Sequence, residues 1–434
     1  MANVDTRLNS RTIALDLIER SVRRHRPVDD NFVPATTKLS VRDRAFVRLL
    51  VATVLRRLGQ IDLVLDKFLA SIPTPTAQDI LRLGVAQLLF LKTPPHAAVD
   101  TAVALAKNRR QGGFSGLINA VLHKVADAGP VICDRQDAPR LNTPAWLWDS
   151  WTKAYGDKTA MAIAVAHLAE APLDISVKNN TECAEWARRL GAEVMPTGSL
   201  RYTARGRIEN LQGYHQGAWW VQDAAAALPA KVLLHALGNV HGKALLDLCA
   251  APGGKTAQLA AAGAEVTAAD VSKNRLALLQ ENFSRLNLHV RAVCEDATVW
   301  IPTVSFDGVL VDPPCSATGT IRRHPDVYFL KRKADVLGFS AIQKSLLSAA
   351  SRMVRNGGYL LYTVCSLQPE EGPVVVDSFL AENEAFQRVA VPIDAVGGEK
   401  EFLSSSGELR TLPCHWAAQG GIDGFYGALM QRRG

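Results

Sequence analysis

Between about residue 240 and residue 430, short apolar runs ending in Gly, Pro or Asp alternate with amphipathic stretches, an order few architectures tolerate. ALLDLCAAP reads as a buried strand entering a Gly-rich turn, and TAQLAAAG as a helix. EVTAADV is a strand, NRLALLQENFSRL an amphipathic helix, and VRAVCEDA, FDGVLVDPP and GGYLLYTVCS are further strands. This rhythm builds an open, mainly parallel α/β sheet. Ligands of such sheets bind at the carboxyl ends of the strands, so the residues that follow each strand matter most.

The first strand closes on Asp247-Leu248-Cys249-Ala250-Ala251-Pro252-Gly253-Gly254-Lys255-Thr256. A phosphate loop would need Gly six positions before Lys255, where Cys249 stands, and no GxGxxG is present. What remains is a turn of small residues that lets a ligand approach the backbone closely. Asp270 follows the second strand, placed to accept both hydroxyls of a ribose. Glu295-Asp296 follow the third, placed to receive an adenine amino group. Each acid alone is as easily a cap or a turn. As an ordered set, with a chain lying over a Gly turn, they describe S-adenosylmethionine.

The fourth strand ends Asp312-Pro313-Pro314-Cys315 and a later one Thr363-Val364-Cys365-Ser366. Methyltransferases of exocyclic amines place an aromatic after Pro-Pro, where this chain has Cys315. Either thiol alone reads as a small buried hydrophobe. Two at neighbouring strand ends, beside an Asp, read as chemistry. Carbon 5 of a pyrimidine is too weak a nucleophile to take a methyl group unaided, and a thiolate adding to carbon 6 makes it enamine-like. Asp312 is placed to hold or share a proton at N3 and the amino group of cytosine. A second thiol suits removal of the carbon 5 proton. An ordinary thiol, with a pKa of about 8.5, is mostly protonated at neutral pH. Arg322, Arg323 and His324 offer positive potential to the nucleophile or contacts to RNA phosphates.

Residues 6 to about 128 carry a helical period throughout, as in Phe46, Leu49, Leu50 and Val54, with Ser40 and Asp43 approximating a capping box. Residues 1–129 hold 19 Lys and Arg against 11 Asp and Glu, so the basic excess of the chain (net +7) sits here and suits a polyanion, or simply a solvated helical face. From 130 to 238 the chain reads as a small α+β domain, with LDISVKNN a strand, TECAEWARRLGA a helix and EVMPTGSLRYTARGRIENL further strands. Of its tryptophans (Trp146, Trp148, Trp151, Trp186, Trp219 and Trp220) most are expected in the core rather than stacked on bases.

Composition removes other classes. At 48% hydrophobic and 21% charged, the chain is neither disordered nor fibrous. No apolar run nears the roughly 18 residues of a membrane helix. The opening MANVDTRLNS lacks the apolar core of a secretory signal. Seven cysteines without a CxxC pair fit neither a disulfide frame nor a four-Cys zinc site, so no metal is expected and the compartment is a reducing one, the cytoplasm.

DLCAAPGGKT, ADVSKNRL, EDA, FDGVLVDPPCSATGTIRRHPD, TVCSLQPEE and the terminal DGFYGALM match, in order, the motif series of one family. The chain resembles the RNA (cytosine-5) methyltransferases of the Sun/RsmB/NSUN group, most closely the bacterial RsmB type that acts on 16S ribosomal RNA. RDRAFVRLLVATVLRR, PPHAAVDTAVALAK and GLINAVLHKV resemble the NusB-like helical domain of that type, and GYHQGAWWVQD its small RNA-binding domain. The resemblance implies a multidomain chain. An all-α NusB-like domain (1–130) would precede a small α+β RNA-binding domain (131–238) and an α/β Rossmann-like class I methyltransferase domain (239–434). It implies Cys365 as nucleophile and Cys315 as the aid to product release. Its cofactor contacts carry over to Cys249, Ala250, Ala251, Pro252, Gly253, Gly254, Lys255, Asp270, Asp296 and Asp312. A monomer acting on 16S ribosomal RNA, protein-free or early in assembly, is expected. The alternatives are the same chemistry on tRNA or another ribosomal site, and a non-catalytic RNA-binding assembly factor. Loss of Cys315, Cys365 or Asp312 would have favoured the last, and all three are present.

Overall fold

The computed structural model describes residues 2–203 and 206–434, with side chains from Leu8 onward. Ala204 and Arg205, inside a stretch expected to hold strands, lie outside the described residues. The chain forms two compact units, one of residues 1–169 and 321–332, the other of 170–320 and 333–434.

The first unit is helical: α1 (Ala2–Arg24), α2 (Val28–Thr36), α3 (Val41–Arg56), α4 (Leu58–Asp66), α5 (Pro75–Val85), α6 (Pro95–Asn108) and α7 (Ser115–Asp134). The caps are local chemistry. Ser40 Oγ accepts the Asp43 N–H at 3.2 Å, and Thr74 Oγ1 accepts that of Ala77 at 3.3 Å with Pro75 opening α5. The periodic apolar faces bury Leu50, Val54, Ile61, Ile80 and Leu122 in one core.

Helices continue past the boundary expected at residue 130. α7 runs through Pro130, and α8 (Ala138–Asn142), α9 (Ala145–Tyr155) and α10 (Asp157–His167) follow. Leu147, Trp151 and Ile163 are fully buried there, so AWLWDSW and DKTAMAIAVAH obey a helical period where a mixed domain was expected. The segment 321–332, with α15 (Val327–Leu330), also folds with this unit. Asp326 Oδ2 accepts the Val28 N–H at 2.9 Å, the Phe329 carbonyl meets His25 Nδ1 at 2.7 Å, and Tyr328 Oη meets His167 Nδ1 at 3.0 Å. Arg322 is fully buried, so it does not offer itself to an RNA phosphate as expected from sequence.

The second unit opens with β1 (Leu173–Val177), α11 (Cys183–Leu190), β2 (Glu193–Val194), β3 (Leu200–Tyr202) and β4 (Trp219–Val221), an antiparallel sheet in the order β2-β3-β1-β4. Arg201 grips Asp174 with two 2.8 Å hydrogen bonds inside it. Trp219 is fully buried and Trp186 and Trp220 nearly so, core as expected. Next come α12 (Ala224–Leu237), β5 (Ala244–Leu248), α13 (Gly254–Ala261), β6 (Glu265–Ala269), α14 (Lys273–Leu286), β7 (Arg291–Val293) and β8 (Phe306–Val311). After the segment 321–332 follow α16 (Lys333–Ser351), β9 (Val354–Val364), α17 (Pro373–Glu382), β10 (Phe386–Val389), β11 (Leu409–Thr411) and β12 (Phe425–Arg432). The sheet order is β10-β12-β9-β8-β5-β6-β7, with β11 on β12. β5 to β9 are parallel, and β10, β11 and β12 pair antiparallel. The small sheet does not form a unit of its own as expected for 131–238, because α12 packs against β1 and also against β8, β9 and β12.

The strand order reverses at β5, whose neighbours are β6 and β8. Such a switch point opens a crevice at the carboxyl ends of the strands. Among the described residues, no helix is long and apolar enough to cross a membrane.

Candidate active site

At that switch point lies a crevice of about 430 Å³. One wall is the turn from Cys249 to Lys255, flanked by Asp247 and Asp312. Cys249 (φ 60°) and Gly253 (φ 104°) take left-handed backbone to fold the turn over the strand end. A Cβ on Gly253 would stand 2.9 Å from the Phe283 ring, so only glycine fits there.

The acids at the strand ends are held differently. Asp247 is buried and accepts a 2.6 Å hydrogen bond from Thr256 on Oδ2, while its buried Oδ1 has no partner. Burial pushes its carboxyl up to about 7. Asp270 is buried, accepting the Ser272 N–H at 2.9 Å and the Ala251 N–H at 3.3 Å, with Arg275 at 3.4 Å. Asp312 receives the Lys255 ammonium at 2.6 Å. Burial works against the Lys255 charge, yet the Asp312 carboxylate outweighs it and the lysine's pKa is raised. Cys249 is pushed up to about 12, first by burial and then by the nearby acids, so it stays a thiol at neutral pH.

The crevice brings together Cys249 through Lys255 and Asp312, and Asp270 reaches it through its bond to the Ala251 amide. Asp296 stands outside the lining, exposed, its Oδ1 accepting the Thr298 N–H and hydroxyl. Sequence reasoning missed the opposite wall, which includes Tyr214, Gln222, Asn282 and Arg285. The Arg285 guanidinium lies 4.1 Å over the Tyr214 ring and donates to the Tyr214 and Trp219 carbonyls. The only sequence signal for that wall was the run GYHQGAWWVQD.

The residues fit the cationic cofactor read from sequence. An orphaned carboxyl oxygen faces the crevice, two further acids flank it, and a glycine turn leaves the backbone open to a ligand. A sulfonium and an ammonium both suit that set.

The two thiols stand at the ends of β8 and β9, which pair in parallel, with Sγ to Sγ 3.4 Å. Cys315 is raised well above an ordinary thiol, first by its hydrogen bond with Cys365, then by burial and by nearby acids. Lys255 interacts electrostatically with Cys365. The loops are stitched by the Gly319 N–H to the Cys365 carbonyl at 3.0 Å and the Leu367 N–H to Thr318 Oγ1 at 3.0 Å. All seven cysteines are free, and among the described residues no cluster of side chains fits a metal ion.

Comparison with known proteins agrees with this geometry. Residues 234–431 match the family model of the 16S rRNA methyltransferase RsmB/F, and residues 8–127 that of the NusB family. The ribosomal RNA small subunit methyltransferase B of Cronobacter sakazakii is 32% identical over 86% of this chain and 90% of its own length. The protein of the same name from Pasteurella multocida is 30% identical over 98% of this chain and 96% of its own. The crystal structure of PH0851 shares the fold with a TM-score of 0.75 at 22% identity, covering 97% of this chain and 99% of that one. By its sequence relatives, and by a fold that places a methyltransferase crevice at β5, the chain belongs to the ribosomal RNA small subunit methyltransferase B family.

Proposed function

We propose that the protein methylates carbon 5 of a cytosine in 16S ribosomal RNA through a covalent adduct with Cys365. The observation that carries this reading is the pair of thiols 3.4 Å apart at neighbouring strand ends, beside the Lys255–Asp312 pair. S-adenosylmethionine is the family's methyl donor, and when bound it supplies the methyl group from its sulfonium. Cys249 through Lys255, with Asp247, Asp270 and Asp312, would hold it along the crevice, and Asp296, exposed outside the lining, is the further contact that the family resemblance assigns to it.

Cys365 attacks carbon 6 as a thiolate, next to the positive field of Lys255. As the ring takes up a proton at N3 from solvent, the Asp312 carboxylate accepts its hydrogen bond, so the charge that builds on the ring is neutralised where it forms, and N3 returns that proton when Cys365 leaves. Cys315 stands 3.4 Å from the Cys365 sulfur, so it is placed to act on the ring that Cys365 holds. Having released its own proton to solvent, it takes the carbon 5 proton as the carbon 6–sulfur bond breaks. Cys365 then leaves as thiolate. Two unbridged thiols so close need reducing surroundings, and we place the protein in the cytoplasm on that ground.

The test is a denaturing gel of wild type, Cys315→Ala and Cys365→Ala after incubation with S-adenosylmethionine and unmodified 16S ribosomal RNA. A slow protein–RNA band in Cys315→Ala, absent from Cys365→Ala, is the expected result. The mirror pattern exchanges the two roles. No band in any lane, with no methyl transfer by wild type, overturns the reading.

A further inference from the structure

Behind the thiols lies a carboxylate that the reaction scheme leaves unused. Glu371 is fully buried, six residues past Cys365 in the loop that follows β9. Its Oε1 accepts the Ser316 N–H at 2.8 Å and the Gln343 amide at 3.1 Å. Its Oε2 accepts the Ser366 hydroxyl at 2.6 Å and also the Ser316 hydroxyl. These four donors are neutral. Ser316 directly follows Cys315, and Ser366 directly follows Cys365. The two serine hydroxyls lie 3.0 Å apart, and Gln343 donates as well to the carbonyl of Pro314, just before Cys315.

We propose that Glu371 is a positioning residue, a single carboxylate that sets the distance between Cys315 and Cys365 by holding the residue after each. Burying a carboxylate among neutral donors is costly, and the fold meets that cost where two separate loops have to end at one spot. An acceptor-only group suits the task. Oε1 faces two N–H donors that cannot reverse, and Oε2 faces two hydroxyls. Adduct formation and release use different thiols on the same ring, so both Sγ atoms must stand within a few tenths of an ångström of their places. The proposal rests on the two-thiol reading above.

The experiment measures the spacing itself, without RNA or cofactor. Dibromobimane becomes fluorescent when it bridges two close thiols, and the Cys315→Ala protein gives the background. Glu371→Gln, which keeps the shape but turns an amide NH2 toward one pair of donors, is expected to lose most of the bridging signal. Its kcat should fall about tenfold or more, with the KM for RNA and the affinity for S-adenosylmethionine held within about twofold. Glu371→Asp, which keeps the charge one methylene short, should recover part of both. Should Glu371→Gln fail to fold, Ser316→Ala and Ser366→Ala each remove one hydroxyl, and each should lower bridging and kcat together. Wild-type bridging in Glu371→Gln, or in both serine variants, overturns the proposal. So does a loss of kcat matched by an equal loss of cofactor affinity. Because bridging requires no reaction, failure of the adduct gel would sink the two-thiol reading while leaving the spacing measurement intact.

Discussion

The helical unit and the methyltransferase unit each bury a titratable group whose charge is suppressed, and these two groups differ in sign. In the first, His167 is pushed down to about 3 by burial and then by Arg322 and Arg56. In the second, Asp247 is pushed up to about 7 by burial, with Asp312 and Asp270 adding to it. At these two positions burial removes a charge of the sign that the surrounding unit carries in excess. The helical part remains cationic, which suits a phosphate backbone, and the crevice keeps Asp270 and Asp312 for a cationic ligand.

The sharpest way to break this contrast is to remove the cation inside the acidic crevice. Lys255→Met leaves Asp312 without its 2.6 Å partner, and methyl transfer should drop by ~10²- to 10³-fold in a steady-state assay. Activity near wild type would mean that the crevice tolerates three acids unassisted.

Thermal unfolding of the cofactor-free protein across pH sharpens the comparison. Asp247 has a folded pKa above its unfolded value, so its contribution is complete below about pH 4 and is lost as pH rises toward about 7. His167 has a folded pKa below its unfolded value, so its contribution is present above about pH 6.5 and is lost as pH falls toward about 3. Each slope is about 1.4 kcal/mol per pH unit at its steepest. Asp247→Asn should abolish the loss on the alkaline side, and His167→Gln the loss on the acid side. Superimposable curves for all three proteins would refute both shifts.

In each unit the glycine pressed hardest against another stretch of backbone offers a further comparison. A Cβ on Gly59 would lie 1.9 Å from the Leu141 carbonyl oxygen, and one on Gly319 would lie 1.9 Å from that of Gly424. Alanine at either position should cost about 1–3 kcal/mol, read as a fall in melting temperature. Only Gly319→Ala should lower kcat as well, since its N–H holds the Cys365 carbonyl. The smallest effect is expected at Ser40→Ala, where loss of the α3 cap should cost about 1 kcal/mol and leave catalysis alone.

The strand-end acids and both thiols were legible in the sequence because each directly follows an apolar run, and a parallel sheet brings all such ends to one edge. The opposite wall was not legible. Tyr214 and Gln222 flank β4 in a run that the sequence marked only as RNA-binding, and Arg285 sits in the last turn of α14, where no motif points. Glu371 sat in plain view in TVCSLQPEE, but nothing local tells a buried acceptor from an exposed charge. The boundary near 130 was set by the strand-like runs from LDISVKNN onward, whereas α7 continues through Pro130, α9 buries Trp151 and the strands begin only at Leu173. Asp296 was placed by the spacing rule, and in the folded chain it caps its own loop.

The membership of residues 321–332 in the helical unit bears on how the chain is made. That unit is missing Ile321, Val327 and Tyr328, all buried, until the ribosome has produced some 160 residues beyond Ala169. At ordinary translation speeds that is a delay on the order of ten seconds. Through it His167 awaits the hydroxyl it meets in the finished protein. Vectorial synthesis therefore leaves the helical unit incomplete until the reacting loop and the segment that follows it have been synthesised.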